Sequence, residues 1–345
     1  MNVEAGIVRE RTLEDIPEIV GWDRKVMPTG WFQVGWSDEL APGAVRPLRY
    51  FNKDLVLYRT EDGRAIVQSA FCPHMGAHLG HGAHVEGDEI VCPYHGWKWS
   101  CEGRNTLVPS DGAASKSGRV LKNYPVAETN GCIWMWHDVL NRDPLWPPLR
   151  EFRDGADYLP VVPHCNVLHA NWRIQPQWVV ENTVDVDHLV VVHQSKVIPK
   201  LTSDRPDIDY QIEGHVWKNN RPDPIQSSFV EGVGIHVIVI PKDPERPERL
   251  PSLLIGGVTP IDDERSDFFH TNLVPQDKDA DGGDGIVPVG RAAQRIATLT
   301  KQAHRDIPIW DNMVYINRPA YAKCEAVMAR FRKFCDQFYP EVDQG

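Results

Sequence analysis

From Trp31 to Trp136 the apolar residues come in short runs, broken every few positions by Gly, Pro or charge. LVLYRT (55–60), AIVQSAF (65–71), EIVCPY (89–94) and CIWMWH (132–137) are the clearest. Runs of this length between turn formers predict short strands, so this part reads as a small antiparallel β domain. DPLWPPLREF (143–152) breaks the pattern and reads as a linker. Beyond it, HVIVIP (236–241), PSLLIGGVTP (251–260) and SDFFHTNLVP (266–275) predict strands of one sheet. QWVVENTVDVDHLVVVH (177–193) and the segment 307–338, interrupted near Pro319, predict helices. PQDKDADGGDG (275–285) has charge and Gly without an apolar anchor and predicts a mobile surface loop. The order of elements is that of an α+β protein.

Composition adds limits. The chain has 345 residues, 41% hydrophobic and 25% charged, enough for two ordinary domains with their own cores. A net charge of −11 argues against nucleic acid as a partner, because phosphate binding needs a basic face. No apolar stretch is long enough to span a bilayer, and the acidic N-terminal stretch does not read as a signal peptide. Seven Cys at irregular spacing suit a reducing, cytoplasmic setting better than a disulfide framework. The 14 His and 12 Trp remain unexplained by composition alone.

The histidines cluster where chemistry is expected. Residues 72–95 contain Cys72-x-His74 and Cys92-x-x-His95. Each half supplies one thiolate and one imidazole, with Gly76 or Gly96 following. Structural zinc sites usually pair like ligands, C-x2–4-C with H-x3–5-H, so mixed halves fit them poorly. A Rieske [2Fe–2S] centre, with two Cys on one iron and two His on the other, accounts for the pattern. Neutral imidazoles leave such a cluster less negative than an all-Cys one and raise its potential. His78, His81 and His84 fall outside the pattern and read as loop residues. Cys101, Cys132, Cys165, Cys324 and Cys335 read as small buried apolar residues.

A second group lies in ENTVDVDHLVVVH (181–193). Asp185 and His188, three apart, share a helix face. His188 and His193, five apart, would diverge by about 140° on a regular helix. If both bind one metal, the helix must be distorted or must end before His193. Two unrelated histidines on a solvated helix are the alternative. Two His with one carboxylate form the facial triad of non-haem Fe(II) oxygenases, which leaves positions open for O2. The carboxylate must come from elsewhere. Asp306 in RDIPIW, just ahead of the expected C-terminal helix, and Asp311 are the candidates.

CPHMGAHL, CPYHGWKW and VENTVDVDHLVVVH together resemble the Rieske non-haem iron oxygenases, specifically their terminal oxygenase subunits. GDEIVCPYHGWKWSCEGRNTLVP and DIPIWDNMVYINRP are similar to the 3-ketosteroid 9α-hydroxylase oxygenases and cholesterol 7-desaturases. Met313 departs from them, standing where an IWxxK run would carry Lys. The resemblance implies a β-rich Rieske domain followed by a helix-grip catalytic domain, an antiparallel sheet curled over helices. On that division, 1–27 is an N-terminal segment, 28–150 the cluster domain and 151–345 the catalytic domain. It implies a mononuclear Fe(II) held by His188, His193 and Asp306, and a head-to-tail homotrimer. Asp185 would bridge His95 of one chain and His188 of the next, fixing both imidazoles. Glu181 and Asn182 would sit in the same inner shell.

The implied reaction hydroxylates or desaturates an apolar polycyclic substrate such as a steroid or sterol, using O2. Aromatic monooxygenation or O-demethylation is the alternative within the class; a pure Rieske electron carrier is the alternative outside it. No G-x-G-x-x-G follows a predicted strand, so NAD(P)H would act only through a flavin-dependent ferredoxin reductase. Lys98 and Arg104 are candidates for its docking. The substrate pocket is expected between the sheet from Gly232 to Leu273 and the helix from Trp178 to Val192. Val190, Val191, Val192, Ile238 and Ile240 are expected as its apolar lining.

Overall fold

The computed structural model describes residues 12–24, 26–152, 158, 163–194, 210–219, 227–243, 245, 247–275, 282–322 and 325–341. The predicted runs form strands. Within the first region these are β1 (Gly30–Trp36), β2 (Val45–Tyr50), β3 (Lys53–Arg59), β4 (Ala65–Ser69), β5 (His84–Glu86) and β6 (Glu89–Val91). β7 (Lys98–Trp99), β8 (Asn105–Leu107), β9 (Asn123–Tyr124), β10 (Val126–Thr129) and β11 (Cys132–His137) follow. They assemble into three antiparallel sheets, ordered β1-β11-β10, β2-β3-β4-β9 and β5-β6-β7-β8.

The second region is one antiparallel sheet. Its strands are β12 (Asn166–Trp172), β13 (Tyr210–Glu213), β14 (Val216–Asn219), β15 (Ser227–Glu231), β16 (Ile235–Ile240), β17 (Ser252–Pro260) and β18 (Ser266–Leu273). The order is β12-β18-β17-β16-β15-β14-β13, so the three runs predicted to share a sheet lie side by side. Its helices are α1 (Pro176–Glu181), α2 (His188–Val191), α3 (Gly290–Trp310) and α4 (Ala326–Cys335). This is an α+β fold.

Strand parity divides the sheet into two faces, because side chains alternate along each strand. Ile235, Val237, Leu253, Ile255, Phe269 and Leu273 join a core shared with Trp31, Trp36, Trp134 and Trp136 of β1 and β11. The opposite face packs Val258 and Phe268 against Ile307 and Trp310 of α3. Many of the tryptophans thus go into the seam between the two regions. Each gains apolar burial worth about 1.5–3 kcal/mol only if its indole N–H is also satisfied. Trp36 donates to Thr271 Oγ1 at 2.7 Å, Trp31 to the Trp146 carbonyl at 3.0 Å and Trp217 to Asn219 Oδ1 at 2.8 Å.

Two expectations change. The 143–152 passage is not a free linker: Trp146 packs edge-on to Trp136 at 4.8 Å and stacks on His215 at 4.7 Å, and Leu149 is buried. The C-terminal helix begins at Gly290, so Asp306 lies inside α3 rather than ahead of a helix. Pro308 sits in the last turn of α3 and leaves the His304 carbonyl without its usual helical N–H donor. Most of the loop expected at 275–285 lies outside the described residues, as does Cys324. Cys101, Cys132, Cys165 and Cys335 are buried.

Candidate metal centres

The two Cys/His loops are local copies of one another. Cys72 N–H donates to the Ala77 carbonyl and Gly76 N–H to the Cys72 carbonyl, both at 2.9 Å. Cys92 N–H donates to the Trp97 carbonyl at 2.9 Å and Gly96 N–H to the Cys92 carbonyl at 3.0 Å. Each turn closes through a left-handed residue, Gly76 at φ +78° and Gly96 at φ +68°, which a side chain would strain. The loops place their ligand types at different depths. Cys72 and Cys92 are 1% and 3% exposed, whereas His74 is half-buried and His95 is exposed. The two imidazoles lie 4.7 Å apart, and Trp97 stacks on His74 at 4.2 Å. Burial pushes the Cys72 thiol up to about 11, opposed by the His74 N–H and reinforced by adjacent Cys92. Two close thiols beneath two close imidazoles are the donor set a [2Fe–2S] cluster of this type requires.

Sequence reading passed over Trp99. Its indole is fully buried in the same apolar cluster as Cys72 and Cys92. Lys98 is a weaker docking candidate than expected, since Glu86 already pairs with it; Arg104 is exposed. His81 and His84 are exposed, while His78 is half-buried and accepts from Gly80 N–H at 3.0 Å.

The second group depends on a broken helix. α1 ends at Glu181, turns follow, and α2 covers only His188–Val191. The regular helix stops before His193, as a shared metal demands. His188, His193 and Asp306 then each offer a ligand atom within 4.8 Å of the others. Nε2 of His193 lies 3.2 Å from Oδ1 of Asp306, and the two imidazoles are 5.2 Å apart.

Each imidazole is aimed from behind. His193 Nδ1 meets Gln302 Oε1 at 2.9 Å, and Arg305 donates to the His193 carbonyl at 3.1 Å. Both partners come from α3, the helix that carries Asp306. Nδ1 of His188 faces Asp185 Oδ2 at 3.5 Å, while the other Asp185 oxygen accepts from Asp187 N–H at 3.1 Å. Burial alone would lower the His193 pKa; the Asp306 carboxylate overrides it and leaves it raised. Burial would likewise raise Asp185, but its bonds to His188 and to the backbone hold it below the usual range. Two imidazoles, each with a second polar contact, and one carboxylate suit a divalent metal with open positions.

Other candidates sit elsewhere. Asp311 accepts from Arg173 N–H at 3.1 Å and is not in the converging group. Glu181 was expected beside the metal; instead it is buried against Arg332 at 2.9 Å and Gln177 at 2.7 Å. Its pKa is raised by burial, with Arg332 opposing. Asn182 caps α1, its N–H donating to the Val179 carbonyl at 3.3 Å. Val191 is 80% exposed and Val190 is also exposed, so neither lines an enclosed pocket in the single chain. Ile240 is buried and Ile238 half-buried. Gln302, Arg305 and Arg332 escaped sequence reading, because nothing local marks a helix residue as facing a particular loop.

Comparison with known proteins identifies the family. Residues 30–125 match the Rieske [2Fe-2S] domain, and residues 135–339 match the 3-Ketosteroid 9alpha-hydroxylase C-terminal domain. Cholesterol 7-desaturase nvd of Bombyx mori is 30% identical over 338 residues, covering 91% of this chain and 70% of that protein. The oxygenase component of 3-ketosteroid-9-alpha-monooxygenase from Rhodococcus rhodochrous is 25% identical, covering 91% and 84%. The solved structure of NdmB from Pseudomonas putida CBB5 shares the fold, with a TM-score of 0.67 at 19% identity over 88% of each chain. Among the described residues no helix is long and apolar enough to cross a membrane. A Rieske cluster, a mononuclear iron and electrons from a separate reductase are the equipment of such oxidoreductases. The chain belongs to the Rieske non-haem iron oxygenases, as an oxygenase component with the C-terminal domain of the 3-ketosteroid 9α-hydroxylases.

Proposed function

We propose that this chain hydroxylates or desaturates a steroid or sterol, with the cluster on Cys72, His74, Cys92 and His95 and the iron on His188, His193 and Asp306. The observation that carries the site is the convergence of those three side chains within 4.8 Å. The steroid or sterol class is supported by the activities named for the Bombyx and Rhodococcus relatives. A pure electron carrier would need no second ligand group, and the aromatic alternative has only fold-level likeness behind it.

When bound, the iron activates O2 for attack on an unreactive C–H bond. The chain's residues prepare that step. Gln302 and Asp185 fix the two imidazoles from behind, and Asp306 supplies the negative charge. Hydroxylation consumes O2, two electrons and two protons, and releases one water; desaturation consumes the same and releases two. NAD(P)H supplies the electrons through a flavin-dependent ferredoxin reductase docked near the cluster loops.

The proposed working state is a cytoplasmic homotrimer in which the cluster of one chain faces the iron of the next. Support comes from exposed apolar side chains at both ends of that route. Met75 and Tyr94, on the cluster loops, are 64% and 61% exposed, and Val191 is next to the iron ligands. Asp185 would complete the route between His188 and the neighbouring cluster. The proposed division is a cluster domain over 28–150 and a catalytic domain over 151–345, after an N-terminal segment over 1–27.

The test is a steroid and sterol screen with a surrogate reductase, products scored by mass. A gain of one oxygen or a loss of two hydrogens is expected. Conversion of aromatic ethers alone would refute the substrate class, and zinc in place of cluster iron would refute the site.

A further inference from the structure

Parity places three imidazoles on the sheet face that looks toward α3. In the register, His236 of β16 pairs with Gly256, Gly256 with His270 of β18, and Phe268 with His169 of β12. The three rings surround Phe268, at centroid distances of 6.0 Å from His236, 5.9 Å from His270 and 5.6 Å from His169. Phe268 in turn lies 6.2 Å from Trp310 and packs with Ile307, the residue after Asp306. The imidazoles therefore lie on the sheet face that packs against the iron-binding helix.

Their surroundings are unusual for structural histidines. A Cβ on Gly256 would lie 2.0 Å from Cε1 of His236, so this ring occupies room that only a glycine leaves. All three imidazoles are buried. Among the described residues, Nδ1 of His236, both ring nitrogens of His270 and Nε2 of His169 have no hydrogen-bond partner. Oδ1 of Asn272, on the same face, is also without one. Buried polar atoms left unpaired are costly, and several on one wall point to a partner supplied from outside. The three imidazoles do not converge as a metal-ligand group; the one such group of three among the described residues is His188, His193 and Asp306.

Resting on the steroid reading above, we propose that His236 and His270, with His169 beside them, bind a neutral oxygen of the substrate. The function recognised is a hydroxyl or ketone on the apolar polycycle, and these imidazoles orient the skeleton under the iron. Burial holds His236 to about 4 and His270 to about 3, the latter helped by His236, His169 and His304. Burial and His304 hold His169 to about 4. All three are neutral in use, each able to donate one hydrogen bond and accept another. A carboxylate would instead seek Arg295, which bonds Ser252 Oγ at 2.9 Å farther along β17.

The test is equilibrium dialysis of the iron-loaded oxygenase without reductase, so that no turnover occurs. The probes are androstane, androstan-3-one, androstan-17-one and androstane-3-carboxylic acid. At least one ketone should bind about tenfold or more tighter than androstane, because a site built for an oxygen penalises its absence. His236→Leu and His270→Leu should abolish that preference and leave androstane binding within about twofold, while His270→Gln retains part of it. Melting temperature and iron content serve as the folding check, and the wild-type comparison needs no variant. Equal wild-type binding of androstane and both ketones overturns the imidazole subsite alone. So does preference for the carboxylate, or parallel loss of androstane and ketone in the Leu variants. Wild-type protein that binds no steroid overturns both this inference and the steroid reading.

Discussion

Nε2 of His193 sits 3.2 Å from Oδ1 of Asp306, joining the residues just after one short helical segment to the C-terminal part of α3. The contact brings together residues that sequence spacing alone could not relate. It also gives each candidate carboxylate a distinct role. Asp306→Ala should lose the mononuclear iron and activity while keeping the Rieske absorption. Asp311→Ala should keep the iron, since that side chain is bound to Arg173 N–H instead. Iron analysis beside visible spectra separates the two; the reverse result would exchange their assignments.

Gln302 makes no proposed metal bond, yet it meets Nδ1 of His193 at 2.9 Å. Gln302→Leu should weaken iron affinity about 10–100-fold, the usual cost of losing such support. Competition against a chelator measures this, and unchanged affinity would show that His193 is held without it.

Asp185 faces Nδ1 of His188 at 3.5 Å. Asp185→Asn should leave cluster and iron content intact and slow the transfer between them. Rapid-mixing reoxidation of a prereduced cluster is the readout. Reoxidation at the wild-type rate would remove Asp185 from the route.

Glu181 and Arg332 form a buried pair at 2.9 Å. Arg332→Ala leaves an uncompensated buried acid and should destabilise the protein by about 3–5 kcal/mol. Urea unfolding measures it. If Arg332→Ala alters iron content without altering stability, Glu181 belongs with the metal after all.

Stability should fall in mild acid. His137, His169 and His236 are held to about 4 and His270 to about 3, with burial the leading cause in each. The unfolded chain takes up protons near 6.5, before the folded one does. Their contribution is therefore complete above about pH 6.5 and is lost as pH falls from there toward 4, by up to about 1.4 kcal/mol per unit per group. Unfolding free energies from pH 8 to pH 5 should bend downward near 6.5. A flat profile would mean that these rings are reached by water.

The cluster loops were legible because each is a closed local unit. Six consecutive residues supply the ligands, the turn and the glycine that permits it. Strand positions were legible for the same reason, since alternation and turn formers act over a few residues. The break before His193 followed from the helical angle once both histidines were taken to bind one metal. Asp306 was picked out by its place ahead of the expected C-terminal helix and by the resemblance, yet it lies inside α3, because that helix begins at Gly290. Gln302 and Arg332 carried no signal at all.

What the sequence determined by itself is the local chemistry: thiols, imidazoles and glycines at spacings that hold a cluster, and the alternation that sorts each strand into two faces. What only the tertiary structure decided is which face meets which partner. The sheet between Gly232 and Leu273 was expected to line the substrate pocket, yet one face packs on the tryptophan seam and the other turns His236 and His270 toward α3. Parity is a property of neighbouring residues. The choice of covering helix is a property of long-range packing, set by the apolar area buried across the whole core, and no short stretch of sequence contains it.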